Sequence, residues 1–216
     1  MAFAFRCPVY PIVGSSGARR SPIELADQLA GLGIPLLQLR MKNEPTRTFI
    51  ELARELRRRT AIQGVKLIIN DRADIASLVA ADGVHLGQDD LAPTDARQIL
   101  GPGAIIGCST HDIAQLETAL GNSASDYLAY GPIFATTSKD DPGAVRGLVD
   151  LAEAAARCRL PLVGIGGIDH SNIASVLSAG ASAAAVISTI GNAADPVRAT
   201  TRLLSLAGAN PATRGN

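Results

Sequence analysis

Short apolar runs return along the chain with polar, helix-like stretches between them. They are residues 9–13 (VYPIV), 34–40 (IPLLQLR), 65–70 (VKLIIN), 83–86 (GVHL), 104–107 (AIIG), 126–130 (DYLAY), 161–166 (PLVGIG) and 183–187 (AAAVI), eight in all. Most are near-continuous in Val, Ile and Leu and do not alternate with polar residues. Parallel strands covered on both faces read this way.

The intervening segments carry helical spacing. In 46–60, Phe49, Leu52, Ala53 and Leu56 make one apolar stripe, and Glu51, Arg54, Glu55 and Arg58 make the wet side. Further helices are predicted at 22–32, 73–80, 93–100, 112–120, 149–157, 171–178 and 196–206. Several begin with Ser, Thr or Asp near a Pro, and Gly33, Gly101, Gly121 and Gly180 stand where left-handed caps are expected. Strict βα alternation implies a parallel sheet. Eight units in 216 residues predict an α/β fold, a single (β/α)8 TIM barrel over 1–206, in preference to an open doubly wound sheet. The small polar stretch 207–216 is expected to be a disordered tail.

Composition narrows the classes. Lys+Arg and Asp+Glu are equal at 20 each, which lacks the basic footprint of a nucleic-acid or membrane-surface binder. Cys7, Cys108 and Cys158 show neither metal spacing nor an even disulfide count, so a reducing cytoplasm is expected. The N-terminal MAFAFRCPVYPIVG is broken by Arg6, Pro8 and Pro11, unlike a secretory leader, and no apolar run is long enough to span a membrane. A homo-oligomer is left open.

In such a barrel the active site lies where strands end, and there the polar groups gather. QLRMK brings Gln38, Arg40 and Lys42; INDR brings Asn70 and Asp71; HLGQDD brings His85, Gln88, Asp89 and Asp90; Ser109, Thr110 and His111 follow the fifth run. The sixth run leads into ATTSKDDPGAVRG, an aperiodic stretch too long for a plain connection. Two carboxylates, Asp71 and Asp90, beside the cations Arg40, Lys42 and Lys139 suit a diphosphate chelated by Mg²⁺, which takes oxygen ligands and keeps several waters. Gly166 and Gly167 after the seventh run, with Ser188 after the eighth, suit a monophosphate held by backbone N–H groups. Two phosphate sites on one rim imply two phosphorylated small-molecule substrates. Each residue also has a plainer reading. Asp71 fits a cap for the next helix, Asp89 or Asp90 a loop residue, Arg40 and Lys42 solvated charges, His85 a packed or loop-orienting ring, and His111 a first-turn helix residue. GIGGI does not match a dinucleotide fingerprint.

These pieces together resemble the thiamine phosphate synthase family. QLRMK, LIINDR, GVHLGQDD, IIGCST, YGPIFATTSK, VGIGGI and AVIST stand in the family's order, from the second run to the eighth. The resemblance implies a magnesium-dependent transferase of thiamine biosynthesis. It would condense 4-amino-5-hydroxymethyl-2-methylpyrimidine diphosphate with a thiazole phosphate. By motif, Gln38, Arg40, Lys42, Asn70, Ser109 and Lys139 would contact the pyrimidine diphosphate, with Arg40, Lys42 and Lys139 serving catalysis. Asp71 and Asp90 would bind Mg²⁺, and Thr136, Thr137, Ser138, Gly167, Ile187 and Ser188 would hold the thiazole phosphate. Met41 stands where the family often has Glu, Ser138 replaces a usual Thr, and the first run lacks the family's Thr-Asp. A thiazole tautomerase using a histidine such as His111, and a paralogue that binds phosphate ligands without turnover, are the rival readings.

Overall fold

A computed structural model describes residues 3–14, 19–121, 124–138 and 143–209. Its strands are β1 (Val9–Gly14), β2 (Leu36–Arg40), β3 (Lys66–Asn70), β4 (Gly83–Leu86), β5 (Ile105–Thr110), β6 (Tyr127–Tyr130), β7 (Leu162–Ile165) and β8 (Ala183–Val186). All neighbours pair parallel, and β8 returns to β1, so the sheet closes into the (β/α)8 barrel expected. The helices are α1 (Pro22–Gly31), α2 (Thr46–Ile62), α3 (Ala73–Leu78), α4 (Pro93–Leu100), α5 (Ile113–Gly121), α6 (Gly147–Arg157), α7 (Ile173–Ser178), α8 (Ser188–Gly191) and α9 (Pro196–Leu206).

Local chemistry sets the helix ends. Ser21 and Glu24 form a reciprocal capping box before Pro22, and the Asp195 carboxylate accepts from the Arg198 N–H before Pro196. Gly33, Gly101 and Gly180 have positive φ. Gly121 differs from expectation: it lies in the last turn of α5. The four-residue α8 was not predicted, because one turn carries no readable periodicity. Of the expected tail, Ala209 N–H still donates to the Leu204 carbonyl (2.9 Å), and residues 210–216 lie outside the described residues. Among the described residues no helix is long and apolar enough to cross a membrane.

Alternate strand residues face opposite ways, and this divides the core. Val9, Val13, Leu37, Leu39, Leu67 and Ile69 pack outward under the helices. Tyr10, Ile12, Leu36, Ile68, Ile105 and Tyr127 fill the barrel interior. At the floor, Phe3 and Phe5 tuck beneath the tyrosines. The Phe5 ring meets Tyr127 edge-on at 5.3 Å between centroids and lies 5.5 Å from Tyr10.

Ion pairs brace the same N-terminal end. Asp82 accepts from Arg57 (2.9 Å) and the Leu67 N–H (2.9 Å). Asp126 accepts from Arg97 (2.7 Å) and the Ile106 N–H (2.8 Å). Such groups at the barrel's lower face belong to stability and not to catalysis. Replacing Asp126→Ala strands the Ile106 N–H and the Arg97 guanidinium. Urea unfolding should show a loss of about 1–3 kcal/mol, with substrate turnover per folded molecule unchanged.

Candidate functional site

The barrel interior turns polar as it climbs. Inward positions that are apolar near the floor become Gln38, Asn70, His85 and Ser109 higher up. Above them, at the C-terminal ends of the strands, opens a cavity of about 570 Å³. That volume is in the range of small-molecule sites.

One side of the mouth is acidic. Asp71, directly after β3, has φ +63°, an uncommon backbone state that Asp tolerates better than most residues. A tight turn holds it there: its N–H donates to the His85 carbonyl (2.7 Å), and the Arg72 N–H donates to the Asn70 carbonyl (2.8 Å). Asp71 does not cap α3. The N-cap is Arg72, whose side chain makes no capping hydrogen bond. Its carboxylate instead pairs with the Lys42 ammonium. Asp90 is turned inward by the Gly87 N–H, which donates to it at 2.6 Å. The Asp71 carboxyl lies near enough to that of Asp90 to disfavour its charge. Burial, and then Asp71, raise the Asp90 pKa above the ordinary carboxylate value. Arg40 lines the cavity at the end of β2, and Asp89 is an exposed loop residue at its rim.

Two carboxylates pressed together, with one made harder to ionise, suit a hard cation with oxygen ligands. Among the described residues no group of three or more His, Cys, Asp or Glu could hold a metal. A cation here would take its remaining oxygens from water or substrate.

The opposite side is built from backbone. Gly166 and Gly167 have φ +99° and +65°. A Cβ on Gly167 would lie 2.4 Å from the Ala135 carbonyl oxygen, so only glycine lets this loop rest on the one after β6. The Ile133 and Phe134 N–H groups donate to the Ile165 and Gly166 carbonyls (2.9 and 3.1 Å), and the Arg146 N–H donates to Pro132 (2.8 Å). The long loop is thus pinned at its base. Thr136 and Ser138 line the cavity, and the Ser138 N–H donates to the Thr136 hydroxyl (3.2 Å). Ile187 and Ser188 join them at the start of α8. Thr137 is exposed and does not line the cavity. Lys139 lies outside the described residues.

His111 precedes α5 instead of sitting in its first turn. It lines the cavity, and its Nδ1–H donates to the Gly131 carbonyl (2.7 Å), just before the cis Gly131–Pro132 bond.

Beneath the mouth a polar line crosses the interior. Gln38 Nε2 donates to Tyr10 Oη (3.1 Å), which lies 3.0 Å from Tyr127 Oη. Tyr127 Oη lies 2.9 Å from His85 Nδ1, and His85 Nε2 lies 2.9 Å from Ser109 Oγ. Burial pushes the Tyr10 pKa up to about 12 and that of Tyr127 well above its ordinary value. Burial also lowers that of His85 to about 4, partly opposed by Asp90. A ring so reluctant to take a proton is a weak base for Ser109, and its other nitrogen meets a tyrosine, not a carboxylate. The Ser–His contact is therefore not an activated nucleophile. The sequence reading missed Tyr10 and Tyr127. Both stand in apolar runs, and their only signal is the inward register of β1 and β6.

The comparisons with known proteins fit this geometry. A family model described as thiamine monophosphate synthase matches residues 9–190, from β1 into α8. The chain belongs to the thiamine monophosphate synthase family. Over 207 residues it is 41% identical to the thiamine-phosphate synthase of Anaeromyxobacter dehalogenans (strain 2CP-C), covering 96% of this chain and 90% of that one. Over 190 residues it is 43% identical to that of Moorella thermoacetica, covering 87% and 89%. Among solved structures, thiamine phosphate pyrophosphorylase from Pyrococcus furiosus superposes with a TM-score of 0.84 at 31% identity, covering 94% of this chain and 96% of that one. The resemblance carried by the seven sequence motifs and this family membership agree.

Gly167→Ala should disturb the backbone contact between the two loops. Urea unfolding is expected to show a loss of about 1–3 kcal/mol. A variant as stable as the parent would mean the loops separate without cost.

Proposed function

We propose that this chain is a magnesium-dependent thiamine phosphate synthase. It would join 4-amino-5-hydroxymethyl-2-methylpyrimidine diphosphate to a thiazole phosphate and release diphosphate. The observation that carries the reading is the Asp71–Asp90 pair beside Lys42 on one side of a mouth whose other side is glycine backbone and hydroxyls. A cation-assisted leaving group on one side and a second phosphate on the other account for both halves.

In the reaction, the bond between the pyrimidine methylene carbon and the diphosphate oxygen breaks. The electron pair leaves with diphosphate, and the aminopyrimidine ring supports the positive charge. The thiazole nitrogen supplies the pair for the new C–N bond. No nucleophile from the protein is needed. Gln38, Asn70 and Ser109 orient the pyrimidine diphosphate, while Arg40, Lys42 and Lys139 neutralise charge growing on the departing oxygens. Asp71 and Asp90 would hold Mg²⁺, which when bound supplies further charge neutralisation at the leaving diphosphate. Thr136, Ser138, Gly167, Ile187 and Ser188 line the wall where the thiazole phosphate would sit, and Thr137 would join only if the loop rearranged. Closure of that loop over its pinned base would exclude water from the cation.

We infer a reducing cytoplasm as the compartment, from three cysteines that are all unpaired. The fine assignment is tested with purified protein, both substrates and mass detection of thiamine phosphate. Product should form with Mg²⁺ and not with excess chelator. Asp71→Ala should cut turnover by about 10²-fold or more while the protein stays folded by circular dichroism. Product formation unaffected by chelator, or a fully active Asp71→Ala, would remove the metal from the reading. Substrate binding without product would favour the non-catalytic alternative.

A further inference from the structure

The interior line of polar groups has a direction. Gln38 Nε2 can only donate, so Tyr10 Oη accepts from it (3.1 Å). Among the described residues Tyr127 Oη (3.0 Å) is the other side-chain partner of Tyr10 Oη, so a Tyr10 hydrogen that is paired within the protein points to it. Tyr127 turns its own hydrogen to His85 Nδ1 (2.9 Å). His85 must then carry its proton on Nε2 and donate to Ser109 Oγ (2.9 Å). Ser109 already accepts one bond, so its hydrogen is left to point at the cavity that it lines. Turning the Gln38 amide over would reverse every link, and Ser109 would give its hydrogen to the imidazole instead.

The sheet is shaped to let the central link form. His85, Gly107 and Tyr127 are register neighbours on β4, β5 and β6. A Cβ on Gly107 would lie 2.2 Å from Tyr127 Cζ and 2.5 Å from His85 Nδ1. The missing side chain is the space in which hydroxyl and imidazole meet. The two rings stack at 5.5 Å, and Phe3 and Phe5 pack on Tyr127 from below. Solvent is thereby kept from the lower end of the line.

We propose that Tyr10, Tyr127 and His85 are positioning residues. Through one buried hydrogen-bond chain they fix Ser109 as a donor to substrate and tie its direction to the amide orientation of Gln38. The site then presents a donor at Ser109 whenever Gln38 keeps its nitrogen on Tyr10, leaving the Gln38 oxygen as the atom available to a ligand donor. A ligand that offers a donor at Gln38 and an acceptor at Ser109 matches both ends. One that offers the reverse pair must turn over the whole chain.

The kinetic part of this inference rests on the synthase reading; the structural part does not. The structural part is tested by nitrogen NMR on the histidine-labelled protein, whose 216-residue sequence holds three histidines, His85, His111 and His170. His85 should show the neutral Nε2–H form at pH 7 in the unaltered protein; the Nδ1–H form would overturn the chain. The kinetic part is a double-mutant cycle. Tyr127→Phe keeps the ring and cuts the chain, and should lower kcat/KM about tenfold. In a Ser109→Ala background the same change should alter kcat/KM by less than about twofold, because its effect passes through Ser109. An equal loss in both backgrounds, or none in either, would overturn the positioning role. A protein that makes no thiamine phosphate at all would instead refute the synthase reading, and the histidine signal would still decide the chain.

Discussion

Two carboxylates at one mouth are the constraint around which this molecule is arranged. Asp71 and Asp90 come from different βα units, yet the barrel brings them close enough to interact where burial already disfavours charge. Nothing in folding rewards that by itself. The arrangement is held by local backbone: a positive φ at Asp71, a hydrogen bond from the Asp71 N–H to the His85 carbonyl, and the Gly87 N–H turning Asp90 inward. Lys42 offsets part of the repulsion from an exposed position. Uncommon backbone states kept at a cleft point to function, because a merely stable loop would relax them.

The rest of the fold separates stability from chemistry along the barrel axis. Aromatic packing by Phe3 and Phe5, with the Arg57–Asp82 and Arg97–Asp126 pairs, braces the lower end. The upper end is left open and polar. Between them the hydrogen-bond chain from Gln38 to Ser109 crosses an otherwise apolar interior. A broken chain there would leave buried donors and acceptors unpaired, so its members are energetically linked. The three glycines that matter most, Gly107, Gly166 and Gly167, each allow a close approach. The first joins side chains in the interior, and the other two join loops at the rim.

Much of this was legible in the sequence. The eight apolar runs mark the strands because parallel strands buried on both faces need little else, and the polar clusters after them mark the rim. The same near-continuous apolarity hides the register. A run such as VYPIV does not reveal that Tyr10 points inward and Val9 outward, so the tyrosines and their chain to His85 were missed. Asp71 was ambiguous between cap and ligand, since the residue type suits both and only the backbone around it excludes the cap. Thr137 was grouped with Thr136 and Ser138 by the family motif, but it is exposed and does not line the cavity. Gly121 looked like a helix terminator, yet nothing in a lone glycine says whether the last turn includes it. The single-turn α8 was too short to register.

The central claim is that the acidic pair exists to hold a cation against a departing diphosphate. Calorimetric titration of the intact protein with inorganic diphosphate, with Mg²⁺ and with chelator, tests it most directly. The account predicts tight binding only when Mg²⁺ is present, and its loss when Asp90 is replaced by Asn. Equal affinity in chelator, or full affinity in Asp90→Asn, would contradict it.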